Sequence, residues 1–146
     1  MKKIAFIFAC IAISLTSYSQ KGKVRIGANL GFTTGASNSL LAIGGDVDYL
    51  FTVDEKFEVG AATGLILVTD VNATLLPVAF AGRFNASNKI DLGVDVGYAV
   101  GINNTENGFY FRPMFEYKVG NKISLRASYS GIEDDGILNF GAMFGL

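Results

Sequence analysis

Paired carboxylates are the side chains in this sequence best placed by type and spacing for general acid or base chemistry. Asp46 stands two residues from Asp48, and Asp91 four residues from Asp95. There is no histidine, and the single cysteine is Cys10. Nucleophile–histidine couples and the usual histidine-based zinc sites are therefore unavailable. On an extended chain, even spacings place both members of each pair on one face, interleaved with glycine. That arrangement reads as the polar side of a strand, and catalysis is not expected. A second cluster, Glu133-Asp134-Asp135-Gly136, has carboxylate oxygens that suit a hard cation such as Ca²⁺, but a solvated acidic turn is the expectation. Gly27 and Gly31 lie inside a strand pattern and not ahead of a helix, so no phosphate-binding loop is implied. No cofactor and no metal are expected.

The elements that must position these charges are eight runs with a hydrophobic period of two. Val24 to Phe32 alternates Val24, Ile26, Ala28 and Leu30 with Arg25, Gly27, Asn29 and Gly31. The same pattern runs from Leu41 to Phe51, Phe57 to Leu65, Leu76 to Phe84, Ile90 to Tyr98, Phe109 to Val119, Ile123 to Tyr129 and Leu138 to Leu146. Short polar stretches connect them: 34–39, 54–56, 70–73, 85–89, 103–107, 120–122 and 133–136. Sequential antiparallel strands are the expectation. Pro77 and Pro113 cannot donate a ladder hydrogen bond and are expected to mark bulges or displaced strand starts. The apolar run Leu65 to Val68 breaks the alternation.

Residues 1 to 20 read as a separate unit. Lys2 and Lys3 precede an apolar run, Ile4 to Leu15, and Ser17 and Ser19 make a small-residue cleavage pattern, so residues 1–19 are expected to be a cleaved signal peptide. Cys10 falls inside it, which leaves residues 20–146 without a thiol. Loss of Lys2 and Lys3 leaves ten basic residues against 13 acidic ones, and nucleic acid is not an expected partner. No segment after residue 20 has the roughly 20 apolar residues of a membrane-spanning helix, so a mature chain that enters a bilayer does so as strands.

Alternation alone does not say whether the apolar face meets a protein core or lipid. A soluble barrel of the fatty-acid-carrier or lipocalin kind would dress its outer face in Lys, Glu and Thr. Here the polar face is mostly Gly, Ala and Ser with a few charges, as suits a narrow interior, and the runs reach the roughly 9 to 11 residues of a tilted transmembrane strand. Aromatic residues sort into two belts. Tyr49, Phe51, Phe57, Phe84, Tyr117 and Phe144 fall near the ends on the N-terminal side, and Phe32, Tyr98, Phe109, Phe111 and Tyr129 near the opposite ends. The expected fold is all-β: an eight-stranded antiparallel up-and-down transmembrane β-barrel. Its interior then holds Arg25, Arg83, Arg112, Lys118 and Arg126 against Asp46, Asp48, Glu58, Asp91, Asp95 and Glu116. Folding about Ser87 places Arg83 opposite Asp91, and folding about Asn121 places Glu116 opposite Arg126. Lys118 is expected to approach Asp91 from the other side, and Arg25 to reach Asp48 diagonally. Such a network closes the interior.

With an export signal, eight alternating strands and a strand at its C-terminal end, the chain resembles the small outer-membrane β-barrel domain family that includes OmpA-like and OmpX-like barrels. The resemblance covers residues 23–146, and the stretch Ser17-Tyr18-Ser19-Gln20 is similar to the signal ends of exported Bacteroidetes proteins. Family members usually finish on an aromatic residue, whereas here Phe144 stands two places before Leu146. The resemblance implies location in the outer membrane, contact with its lipids, handling by the barrel-assembly machinery during insertion, and a monomer with a structural or interaction role in the envelope. Two other readings remain open at this point. One is a narrow, porin-like solute channel. The other is a binder of a small apolar ligand, using lumen residues such as Leu50, Ile66, Val68, Met114 and Met143.

Overall fold

A chain whose side chains alternate in polarity can satisfy both faces only if it is extended, and an extended chain must pair its backbone groups with neighbours. In the computed structural model, which describes residues 22–35 and 39–146, eight strands do this. They are β1 (Lys23–Thr34), β2 (Leu41–Asp54), β3 (Phe57–Val68), β4 (Ala73–Asn85), β5 (Ile90–Asn103), β6 (Gly108–Lys118), β7 (Ile123–Ile132) and β8 (Asp135–Gly145). Each pairs antiparallel with the next, and β8 pairs with β1, from Arg25↔Gly145 to Thr34↔Gly136. The sheet is thereby a closed barrel with no free edge. The expected signal peptide lies outside the described residues.

Strands of 10 to 14 residues are longer than the alternating runs predict. The extra length sits mostly at the end that carries the β1–β2, β3–β4, β5–β6 and β7–β8 connections, here called the loop end. There both faces of the sheet are apolar. Leu65 and Leu67 point outward while Ile66 and Val68 are buried inside. The break in alternation at Leu65 to Val68 is therefore a strand crossing from a polar to an apolar layer of the interior. The opposite end, with the chain termini and the other three connections, is the turn end.

Both prolines fall within strands and displace no strand start. Pro77 pairs with Ala99 on β5 and Pro113 with Val94 on β5. On their other sides the ladder lapses, between Thr63↔Val78 and Ile66↔Leu75 for Pro77, and between Phe111↔Gly131 and Met114↔Ser128 for Pro113. A missing N–H interrupts one neighbour only, because each backbone N–H points to one side of its strand. Thr63 Oγ1 donates to the Pro77 carbonyl at 2.9 Å and occupies an acceptor in that gap.

Eight strands make a narrow tube, and glycine lets backbones approach where a Cβ has no room. A Cβ at Gly97 would meet the Val78 carbonyl and, at 2.5 Å, the Ala79 Cα. Gly82 faces outward, and a Cβ there would find nothing nearer than 3.8 Å. Gly97→Ala is expected to lower stability by about 1–3 kcal/mol through overpacking, while Gly82→Ala stays near neutral. Urea unfolding of the two variants in detergent micelles compares them directly.

Candidate functional site

The interior is built in layers, and the inward-facing residues of each strand set its contents. At the loop end Ala42, Ile66, Val68, Ala73, Leu75, Ala79, Ala99, Tyr110, Ile132 and Ile137 form an apolar cluster, with Leu40 packed against it. Below it, toward the turn end, all four arginines of the chain meet carboxylates. A smaller cluster of Leu50, Ala62 and Ala81 sits beside this charged layer.

Asp48 is the hub of the charged layer. Its side chain is fully buried, and its Oδ2 accepts from Arg25 at 2.6 Å, Arg126 at 2.6 Å and Arg83 at 3.1 Å. Glu116, equally buried, accepts from Arg25 at 2.7 Å, from Arg126 Nε at 2.9 Å and from the Ser124 hydroxyl at 3.2 Å. Asp95 accepts from Arg83 at 2.6 Å and from both Nε (2.9 Å) and Nη2 (2.7 Å) of Arg112. Asp46 accepts from Arg112 at 2.7 Å, Asn29 at 2.9 Å and Arg126 at 3.4 Å. The Arg112 guanidinium also lies 5.8 Å from the Tyr110 ring centroid, which joins the ionic layer to the apolar one. Four guanidinium groups and four carboxylates thus interlock. Arginine suits this role because its fixed fork bridges several carboxylates at once.

The sequence-predicted pairs fare differently. Glu116 stands opposite Arg126 in the β6–β7 register, and their side chains meet at 2.7 Å. Lys118 reaches Asp91 at 2.8 Å and also donates to Asn85 at 3.1 Å. Arg25 contacts Asp48, but it lies directly opposite it in the β1–β2 register and not diagonally. Arg83 is not opposite Asp91. It pairs with Gly93, while Asp91 pairs with Asn85. The reason is local: the backbone N–H and C=O of Ser87 close onto Ile90 at 3.0 and 3.4 Å, and its Oγ accepts from the Ile90 N–H at 3.1 Å. Ser87 therefore opens the turn and is not its apex, and every pairing slides by two residues, so that Arg83 stands opposite Gly93 and reaches Asp95, the partner of Ala81, diagonally.

One participant escapes a strand-by-strand reading. Lys23, the first residue of β1, forms an ion pair with Glu58 at the turn-end mouth. It turns the count of five cations against six anions into six against six. A signal for it exists in the sequence, because Lys23, Lys56, Lys89 and Lys122 recur every 33 residues, each followed by an apolar residue and then by Arg25, Glu58, Asp91 or Ser124. Each repeat is one hairpin plus its connection.

Each of these carboxylates lies within ion-pair distance of at least one cation. Two hollows open at the ends. One of about 280 Å³ at the turn end is bordered by Lys23, Glu58, Asn85, Asp91 and Lys118. The other, about 190 Å³ at the loop end, is bordered by Leu40, Val68, Leu75, Ile132 and Ile137. Buried side chains of the ionic layer stand between them. Leu50, Ile66, Val68, Met114 and Met143 all line the interior as buried packing. Among the described residues no group of three or more His, Cys, Asp or Glu is placed to hold a metal ion. Glu133 instead accepts from the Phe109 N–H at 2.8 Å.

The outer face is the reverse of the inner one. Residues exposed along the strands include Ile26, Leu30, Ile43, Val59, Leu67, Val78, Phe80, Val96, Leu125 and Phe140. The two aromatic groups flank them, with Phe57 and Phe84 paired across β3 and β4 at 5.0 Å near the turn end.

No family model matches the sequence, and no curated protein matches it. Solved structures do. A de novo designed transmembrane β-barrel superposes with a TM-score of 0.67 at 14% identity, covering 87% of this chain and 99% of the design. The N-terminal β-barrel domain of Pseudomonas aeruginosa OprF gives 0.61 at 16% identity, covering 86% and 100%. Ail, the attachment invasion locus protein of Yersinia pestis, gives 0.58 at 11% identity, covering 88% and 100%. At such identities the likeness concerns architecture alone, and the architecture is that of an eight-stranded, antiparallel, up-and-down transmembrane β-barrel.

Proposed function

We propose that this protein resides in an outer membrane as a closed barrel with a structural or interaction role, and that it performs no chemistry. The observation that carries this reading is the inversion of polarity: a tube with an apolar outer surface whose inward-facing charges are balanced six against six. In water that arrangement would expose a contiguous apolar patch far larger than the few hundred Å² a soluble monomer tolerates. In a bilayer it is the low-energy arrangement, because lipid solvates the apolar face and the closed sheet has no free edge. Residues 1–19 supply the export signal in this reading. Membrane lipids and the assembly machinery are the expected partners, and the barrel acts as a monomer.

A plugged interior argues against the solute channel, and a loop-end hollow of about 190 Å³ is smaller than the roughly 300 to 1,000 Å³ of ordinary ligand pockets, which argues against the carrier. One Ail structure is of a complex with the heparin analogue sucrose octasulfate. The loop end of the present chain carries Asp70, Glu106, Glu133, Asp134 and Asp135 and no lysine or arginine, so a polyanion of that kind is not proposed as its ligand.

The test is refolding into detergent followed by gel migration with and without boiling, then recording in planar bilayers. The expected result is a compact, heat-sensitive band and no steady conductance. A protein that stays soluble and folded without detergent overturns the membrane reading, and steady unitary currents overturn the closed interior.

A further inference from the structure

The charges outside the ionic layer are sorted by end. Asp70, Glu106, Glu133, Asp134 and Asp135 are all exposed at the loop end, where no cation accompanies them. Every lysine of the described residues is at the turn end: Lys23, Lys56, Lys89, Lys118 and Lys122. Lys23 and Lys118 are engaged with Glu58 and Asp91. Lys56, Lys89 and Lys122 are exposed and have no ion-pair partner among the described residues, while the acidic residues exposed beside them, Asp54 and Glu55, are confined to one turn.

The depth of these lysines is set by the 33-residue repeat. Lys23, Lys56, Lys89 and Lys122 each stand one residue before the first outward apolar position of an odd-numbered strand: Val24, Phe57, Ile90 and Ile123. One residue is a rise of about 3.3 Å. Each ammonium group, on a flexible four-carbon stem, therefore lies at the border of the apolar band. A lysine at that border keeps its stem against apolar surface and extends its charge to the headgroups.

The geometry points to a lysine collar, centred on Lys56, Lys89 and Lys122, that binds the anionic headgroups of the leaflet at the turn end. The inference rests on the reading of the chain as a membrane barrel. The chemistry recognised is the phosphate of an acidic phospholipid, met by ammonium groups spaced around the rim. The loop end has no matching group and is repelled by the same lipid. The collar thus distinguishes the two faces of a bilayer and holds the barrel with its turn end on the anionic side.

The test compares folding from urea into vesicles of phosphatidylcholine alone with vesicles that also contain phosphatidylglycerol, at low salt. Anionic lipid is expected to raise the yield or rate of the heat-sensitive form by about tenfold, and high salt to abolish the gain. The variant K56Q/K89Q/K122Q should fold in phosphatidylcholine as the parent does and lose most of the gain. Adding D70N/E106Q/D134N restores the net charge at the wrong end, and the gain should stay lost. The collar is overturned if the lysine variant keeps the gain, or if restoring net charge recovers it. A parent chain that enters neither vesicle overturns the membrane reading and the collar with it.

Discussion

Arg126→Ala is expected to destabilise the barrel by about 3–5 kcal/mol, the range for removing one partner of a buried ion pair. The side chain is 3% exposed and touches three carboxylates: Glu116 at 2.7 Å, Asp48 at 2.6 Å and Asp46 at 3.4 Å. Each acceptor keeps another donor, since Arg25 still serves Glu116 and Asp48, and Arg112 still serves Asp46. The loss therefore comes less from an abandoned hydrogen bond than from one unmatched negative charge in a lumen that was balanced six against six. Arg126→Lys should recover part of it, because the charge returns while the fork that bridges three acceptors does not. Equilibrium unfolding of both variants in one detergent measures the difference. An Arg126→Ala midpoint equal to that of the parent would show that the ionic layer does not hold the barrel.

A lysine in place of Phe80 tests the other surface. Phe80 is 82% exposed in the middle of β4, between Ala61 on β3 and Val96 on β5. Were the outer face in water, Phe80→Lys would be neutral or favourable, since it replaces an exposed ring by a charge. Against lipid near the bilayer midplane it is expected to cost about 2–4 kcal/mol. The sign of the change thus reports the solvent of the outer face independently of any functional assay. Reversible unfolding in phospholipid vesicles reads it, and a stability equal to or above that of the parent would place this face outside the hydrocarbon.

Much of the fold is legible in the residue order because a period of two has one structural solution. Eight alternating runs appear as eight strands, and the inward and outward sets match the structure in all of them. The loop-end layer is less legible. Ile66, Val68, Leu75 and Ile132 point inward as the fold requires, but apolar residues on both faces erase the contrast on which alternation depends. Strand ends there run past the predicted limits, with β4 beginning at Ala73 and β8 at Asp135.

The charged layer divides in the same way. Glu116 and Arg126 flank a short turn, so their pairing follows from local register, and the residue order is enough to determine it. Arg83 and Asp91 also flank a turn, but its first residue depends on how the Ser87 side chain closes onto Ile90, and a shift of that kind moves each partner by two residues. Contacts across the lumen depend on closure. Arg25 meets Glu116 from 91 residues away, and Arg112 meets Asp46 from 66. Sequence by itself determined which side of each strand every charge occupies, and with it an inner face nearly balanced in charge. The choice of partner across the tube was decided by tertiary structure alone, because strand pairing specifies neighbours along the sheet, and only the joining of β1 to β8 brings opposite walls within the reach of a guanidinium.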